Sequence, residues 1–143
     1  MNQFSFFIGQ KLPGLNQILN KKGTKLKHGK GDLYHFEKKK IEEIVRKNLV
    51  ISKCPKFDRP VSIQFHWVEP DRRRDLDNIF SAKKFIIDAL VKNKNLKNDG
   101  QKHVVELVDT IETNKSKPGV WVTITERDLT NGNRLKQVNK QQT

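Results

Sequence analysis

The clearest pattern in the chain is an alternation. In Val61 to Glu69, VSIQFHWVE, the residues Val61, Ile63, Phe65 and Trp67 fall on one side. Ser62, Gln64 and His66 fall on the other, which predicts a half-buried strand. A different period precedes it. From Asp32, the stretch DLYHFEKKKIEEIVRKNLVI places Leu33, Phe36, Ile41, Ile44, Val45 and Leu49 near helical spacing, with Asp32 as N-cap. CPKFDRP, Cys54 to Pro60, ends that helix. Near the start, Phe4 to Gly9 (FSFFIG) predicts a short buried strand, and KLPGLNQILNKKGTKLKHGKG reads as a Gly-, Lys- and Asn-rich loop. Beyond the central strand a helix is expected from Asp77 or Asn78 through NIFSAKKFIIDALV. HVVELVDTIET and VWVTITE then form a hairpin through NKSKPG. The order β-α-β-α-β-β gives an α+β sandwich of one mixed sheet and two main helices. Residues 1–128 make one domain, and 129–143 are a polar, flexible tail.

Composition narrows the picture. The 143 residues suit one domain with a modest core, since 34% are hydrophobic and 31% charged. The net charge of +13 suits a polyanionic partner, with nucleic acid the first candidate. The single cysteine, Cys54, excludes a disulfide framework and a thiolate zinc site, and fits a reducing compartment. The first ten residues lack the pattern of a signal peptide, and no stretch approaches a membrane span. The four histidines show no ligand spacing. Phosphate-binding loops of the Walker type, dinucleotide fingerprints and nucleophile elbows are not found.

Chemistry concentrates in RRRDLDN, where two acids follow three arginines. In extended backbone Asp75 and Asp77 share a side, and two close carboxylates stay ionised beside a cation. Hard oxygen ligands suit Mg²⁺. The alternative is structural: Asp77 caps the next helix and Asp75 pairs with an arginine. Lys84 lies seven positions beyond Asp77, roughly 20° away around a continuous helix, on a stripe with Phe80, Ile87 and Val91. It either serves the acids or snorkels to water. Asp99, in LKNDGQK, is a third acid or a plain turn residue. The basic residues cluster. Lys21, Lys22, Lys25, Lys27 and Lys30 lie in the glycine-rich loop, and Arg72, Arg73 and Arg74 flank the acids; both groups suit phosphate contact.

Arg72 to Thr110 resembles the RusA family of Holliday junction resolvases of bacteria and their phages. The family pattern is a basic approach, Asp-x-Asp-Asn, a lysine-bearing helix ending in Asp-Ala-Leu, and an acidic turn before a strand. Here these are Asp75-Leu76-Asp77-Asn78, Lys84, Asp88-Ala89-Leu90 and Asn98-Asp99. PGLNQ, with Asn16, is similar to the family's N-terminal turn, and KPGVWVTI to its last strand. The chain departs in two ways. Asn98 replaces an acid, and the helix is about three residues longer, so Lys83 competes with Lys84. The resemblance implies a Mg²⁺-dependent endonuclease, with Mn²⁺ as a substitute and no small-molecule cofactor. It implies a cytoplasmic homodimer that makes paired nicks in four-way DNA. Asp75, Asp77 and Asp99 would hold the metal and Lys84 would be catalytic. The residues themselves add that Asn78 would fix the carboxylates, and that the helix after Asn78 has more apolar surface than one core face needs and would meet the second subunit. Two other readings remain: a metal-dependent nuclease for flaps or forks, and a non-catalytic nucleic-acid-binding module.

Overall fold

The computed structural model describes residues 2–24 and 31–128. The expected tail at 129–143 therefore lies outside the described residues, as do Lys25, Lys27 and Lys30. The elements are β1 (Gln3–Ile8), α1 (Leu15–Leu19), α2 (Leu33–Ile51), β2 (Val61–Glu69), α3 (Leu76–Phe80), α4 (Lys83–Lys92), β3 (Val104–Thr113) and β4 (Gly119–Glu126). The four strands form one mixed sheet in the order β1-β4-β2-β3. The fold is α+β, as the alternating patterns predict. No helix among the described residues is long and apolar enough to cross a membrane.

Strand parity sets the core. Val61, Ile63, Phe65 and Trp67 lie level with Ile124, Val122 and Val120 of β4, and Phe6 and Ile8 of β1 continue the same face. These residues are buried together with Ile41, Val45 and Leu49 of α2 and Phe85, Ile86 and Leu90 of α4. The opposite face stays open: Trp121 is half exposed beside Phe7, and Ser5 is hydrogen-bonded to Thr123 across the strands. Asp32 caps α2 as expected, its carboxylate accepting the His35 N–H.

Four expectations need correction. The glycine-rich loop contains a short helix, α1, which drives Ile18 into the core. The helix after Asp77 is two helices with a break at Ser81-Ala82, where the Ser81 hydroxyl donates to the carbonyl of Asn78. A hydroxyl bonded back to the preceding turn competes with helix continuation. The expected hairpin is absent. β4 lies between β1 and β2, whereas β3 runs parallel to β2 at the edge. The reason is charge: β3 carries Glu106 and Glu112 on one face and Asp109 on the other. Acids on both faces suit an edge, whereas the apolar ladder of Val120, Val122 and Ile124 suits the centre. Finally, the apolar helix proposed to meet a second subunit is used inside its own chain, with Phe85, Ile86, Ile87, Ala89 and Leu90 buried.

Candidate active site

The Asp75–Asp77 segment is held from both sides. Beneath it lies Glu69, the last residue of β2, which is only 3% exposed. By the parity of β2, Glu69 belongs to the inward face, and that signal was present in the sequence. Arg74 neutralises it through two hydrogen bonds, Nη2 to Oε2 at 2.7 Å and Nε to Oε1 at 3.2 Å. The fork geometry of the guanidinium matches a carboxylate in this way. Arg74 also donates to Gln17 Oε1 at 3.1 Å. Its side chain is 11% exposed, so it braces the segment rather than facing a ligand, while Arg72 and Arg73 stay exposed.

The N-terminal turn forms the other side. Gln17 accepts the Gly14 N–H at 2.7 Å, and the Leu15 N–H donates to Ser81 Oγ at 2.8 Å. Gly14 rests directly on Asn78: a Cβ at position 14 would lie 1.9 Å from Asn78 Oδ1 and 2.4 Å from its carbonyl oxygen. Asn78 Oδ1 is buried there and has no hydrogen-bond partner among the described residues. The PGLNQ turn is thus a structural clamp on the acid-bearing segment, with Gln17, Gly14 and Ser81 as its working parts. Sequence reasoning singled out Asn16 of the turn and Asn78 beneath it, and none of these three.

The acids divide into two classes. Glu69 is matched by Arg74, Asp71 lies 3.7 Å from Arg73, and Asp109 takes Lys83 at 2.6 Å and the Trp67 indole N–H at 2.8 Å. Asp75, Asp77 and Asp99 are exposed, and among the described residues no salt bridge or side-chain hydrogen bond engages their carboxylates. Asp75 is the N-cap residue of α3, in place of the expected Asp77, yet its side chain makes no capping bond. The capping and arginine-pairing alternatives therefore describe neither acid.

The two candidate lysines also separate. Lys83 is bound to Asp109 and 23% exposed. Lys84 is 50% exposed, with Asp88 at 3.5 Å. The helical break removes the continuous stripe that linked Lys84 to Asp77, but the exposure of its ammonium leaves it the freer of the two. Lys21 lies 4.0 Å from Glu37 and Lys22 lies over the Tyr34 ring, so both described lysines of the loop sit beside the start of α2.

Asp75 lines a cleft of about 460 Å³ with Glu69, Asp71, Ile111, Glu112 and Thr113, at the end of β3. Asp99 lines another cleft, of about 560 Å³, with Lys84, Asp88, Val104 and Val105 at the start of β3. At about 3.3 Å per strand residue the two clefts are centred about 20 Å apart. The three acids expected to share a metal are thus not brought together within one chain. Among the described residues there is no group of three or more His, Cys, Asp or Glu side chains able to hold a metal ion. The chain is helical from Leu76, so the extended backbone expected to set Asp75 and Asp77 on one side is not formed, and only Asp75 lines the cleft. An exposed, unengaged carboxylate still fits the smaller demand of Mg²⁺, which takes one or two carboxylates and completes its shell with water and phosphate oxygens. Cys54 is half-buried and its thiol is pushed up to about 12 by burial, which makes it a poor nucleophile. No protein-family model matches the chain, and comparison with curated proteins finds no match.

Proposed function

We propose that the protein is a Mg²⁺-dependent, structure-specific endonuclease that resolves four-way DNA junctions by paired phosphodiester cleavage. The observation that carries this reading is the division of the acids. Around the Asp75–Asp77 segment Glu69 and Asp71 have arginine partners and Glu112 is bound to His66, whereas these two carboxylates stand exposed and unengaged among the described residues of a protein of net charge +13. Two unneutralised aspartates beside Arg72 and Arg73 suit a site that receives a cation and a phosphate together. The resemblance of Arg72 to Thr110 to the RusA resolvases supports the same choice and supplies the substrate class.

In this reading Asp75 and Asp77 orient the metal, and Asn78, seated under Gly14, holds the turn that carries them. A bound Mg²⁺ supplies charge neutralisation at the scissile phosphate and acidifies water. Lys84 lines the other cleft, so its exposed ammonium would reach the charge that develops on the phosphate only across the homodimer. Lys21, Lys22, Arg72 and Arg73 hold the DNA backbone. The protein acts in the cytoplasm on branched DNA, as a homodimer whose two sites match opposed strands.

The test uses labelled four-way, three-way and flap DNA with and without Mg²⁺. Symmetrical nicks confined to four-way DNA are expected. Asp77→Asn should lower cleavage about a hundredfold or more while binding persists. Absence of cleavage by the wild type in Mg²⁺ would leave only a binding module, and preferred cutting of flaps would redirect the substrate.

A further inference from the structure

The open face of the sheet carries an aromatic pair that the proposed chemistry does not use. Phe7 of β1, Trp121 of β4 and His66 of β2 stand side by side across three strands. The Phe7 and Trp121 ring centroids are 4.9 Å apart, and Trp121 is 46% exposed. The rings are held in place. Phe7 rests on Gly119, where a Cβ would lie 2.7 Å from its Cζ. The His66 ring nitrogens lie 2.6 Å from Thr110 Oγ1 and 2.6 Å from Glu112 Oε1, which fixes the imidazole beside Trp121 and engages the nearest acid. Glu106, further along the same face, takes Arg127 at 3.2 Å. The turn from β3 to β4 joins this pair to the acid cleft. Thr113 lines the cleft that holds Asp75, and the next residue, Asn114, donates its N–H to the carbonyl of Glu69 at 2.8 Å. Asn114 Oδ1 accepts the N–H and the hydroxyl of Ser116, which sets the shape of the turn. Lys115 and Lys117 are exposed on it, and no salt bridge engages them among the described residues. Lys117 is two residues before Gly119, within roughly 7 Å of it along the chain. Acid cleft, basic turn and aromatic pair thus follow one another around one end of the sheet.

We infer that this face binds unpaired nucleotides: a base stacks on Trp121, with Phe7 behind it, and the adjoining phosphates are held by Lys115 and Lys117. A fixed, exposed aromatic ring beside cations is the combination that holds single-stranded nucleic acid, because every base has a π-face and every phosphate a charge. Duplex DNA offers no free base face away from its ends, so the ligand is single-stranded. The engaged state of Glu106 and Glu112 suits the same ligand, since their charge is met from within the face and the lysines are left to the phosphates. That the bound strand is the one leaving the Asp75 cleft rests on the proposed nuclease function; the stacking site does not.

The test compares a thymidylate strand of about eight nucleotides with an abasic strand of the same length, in EDTA. The chain has two tryptophans and Trp67 is 3% exposed, so quenching of tryptophan emission on binding reports on Trp121. The thymidylate strand should bind more tightly than the abasic one and quench the emission. Trp121→Ala should weaken thymidylate binding about tenfold and leave abasic binding unchanged. Trp121→Phe should restore most of the affinity without the quenching. Lys115→Gln combined with Lys117→Gln should reduce the slope of log affinity against log salt by about 1.4. Equal binding of the two strands by the wild type, or thymidylate binding unchanged in Trp121→Ala, overturns the site. A change of oligomeric state in Trp121→Ala with thymidylate binding intact assigns the face to a second copy and overturns it too. An unchanged salt slope overturns the assignment of the lysines. These measurements need no Mg²⁺, so they decide the site whether or not the protein cuts DNA.

Discussion

Arg74 is the residue on which the acid-bearing segment depends. It is the partner of a buried carboxylate, and removing one member of a buried ion pair leaves the other uncompensated, at about 3–5 kcal/mol. Arg74→Ala should therefore lower stability by roughly that amount in urea unfolding. Arg74→Lys should recover only part of it, because an ammonium cannot reproduce two parallel hydrogen bonds. Gly14 is the second dependency. Adding one methyl forces Asn78 to move, so Gly14→Ala should cost about 1–3 kcal/mol by overpacking. On the proposed function, cleavage should fall with it, since Asn78 adjoins Asp77. Neither role was visible in composition. Arg72, Arg73 and Arg74 look equivalent in the sequence, and only the parity of Glu69 separates the third from the others.

Among the elements, α2 was the most legible, because its cap and its apolar spacing agree. The N–H groups of His35 and Gly23, together with the His35 ring, hold the Asp32 carboxyl at about 2, below its ordinary 3.8. A folded-state value below the unfolded one gives stability that is complete above about pH 4 and lost as pH falls toward 2. Asp32→Ala should lower the melting temperature at pH 7 and flatten its decline between pH 4 and 2; Asp32→Asn, still an acceptor, should flatten the decline with a smaller loss. The strands were legible one by one and their arrangement was not. β3 and β4 are neighbours in sequence with a Pro-Gly turn between them, which is the local signature of a hairpin. The distribution of acids decided otherwise by sending β3 to the edge. The break at Ser81 was hidden because a hydroxyl bonded back to the Asn78 carbonyl leaves no mark in the apolar spacing; the same oxygen also accepts the Leu15 N–H, sixty-six residues away.

At the scale of the molecule, the sequence carried the class of fold and the identity of the exposed acids. It did not carry their separation, which follows from the length of β3 and from no local pattern. On the proposed function, the positive charge predicts a steep salt dependence of DNA binding. Removing Lys22, Arg72 or Arg73 should each reduce the slope of log affinity against log salt by about 0.9, whereas removing Arg74 should not. The link between Leu15 and Ser81 has a practical consequence. The Leu15 amide is protected by a side chain from the acid-bearing half of the molecule, so its exchange with deuterium reports remotely on whether that half is seated. A nuclear-resonance signal at Leu15 would thus serve as a gauge of site integrity for any variant, whether or not that variant retains chemistry.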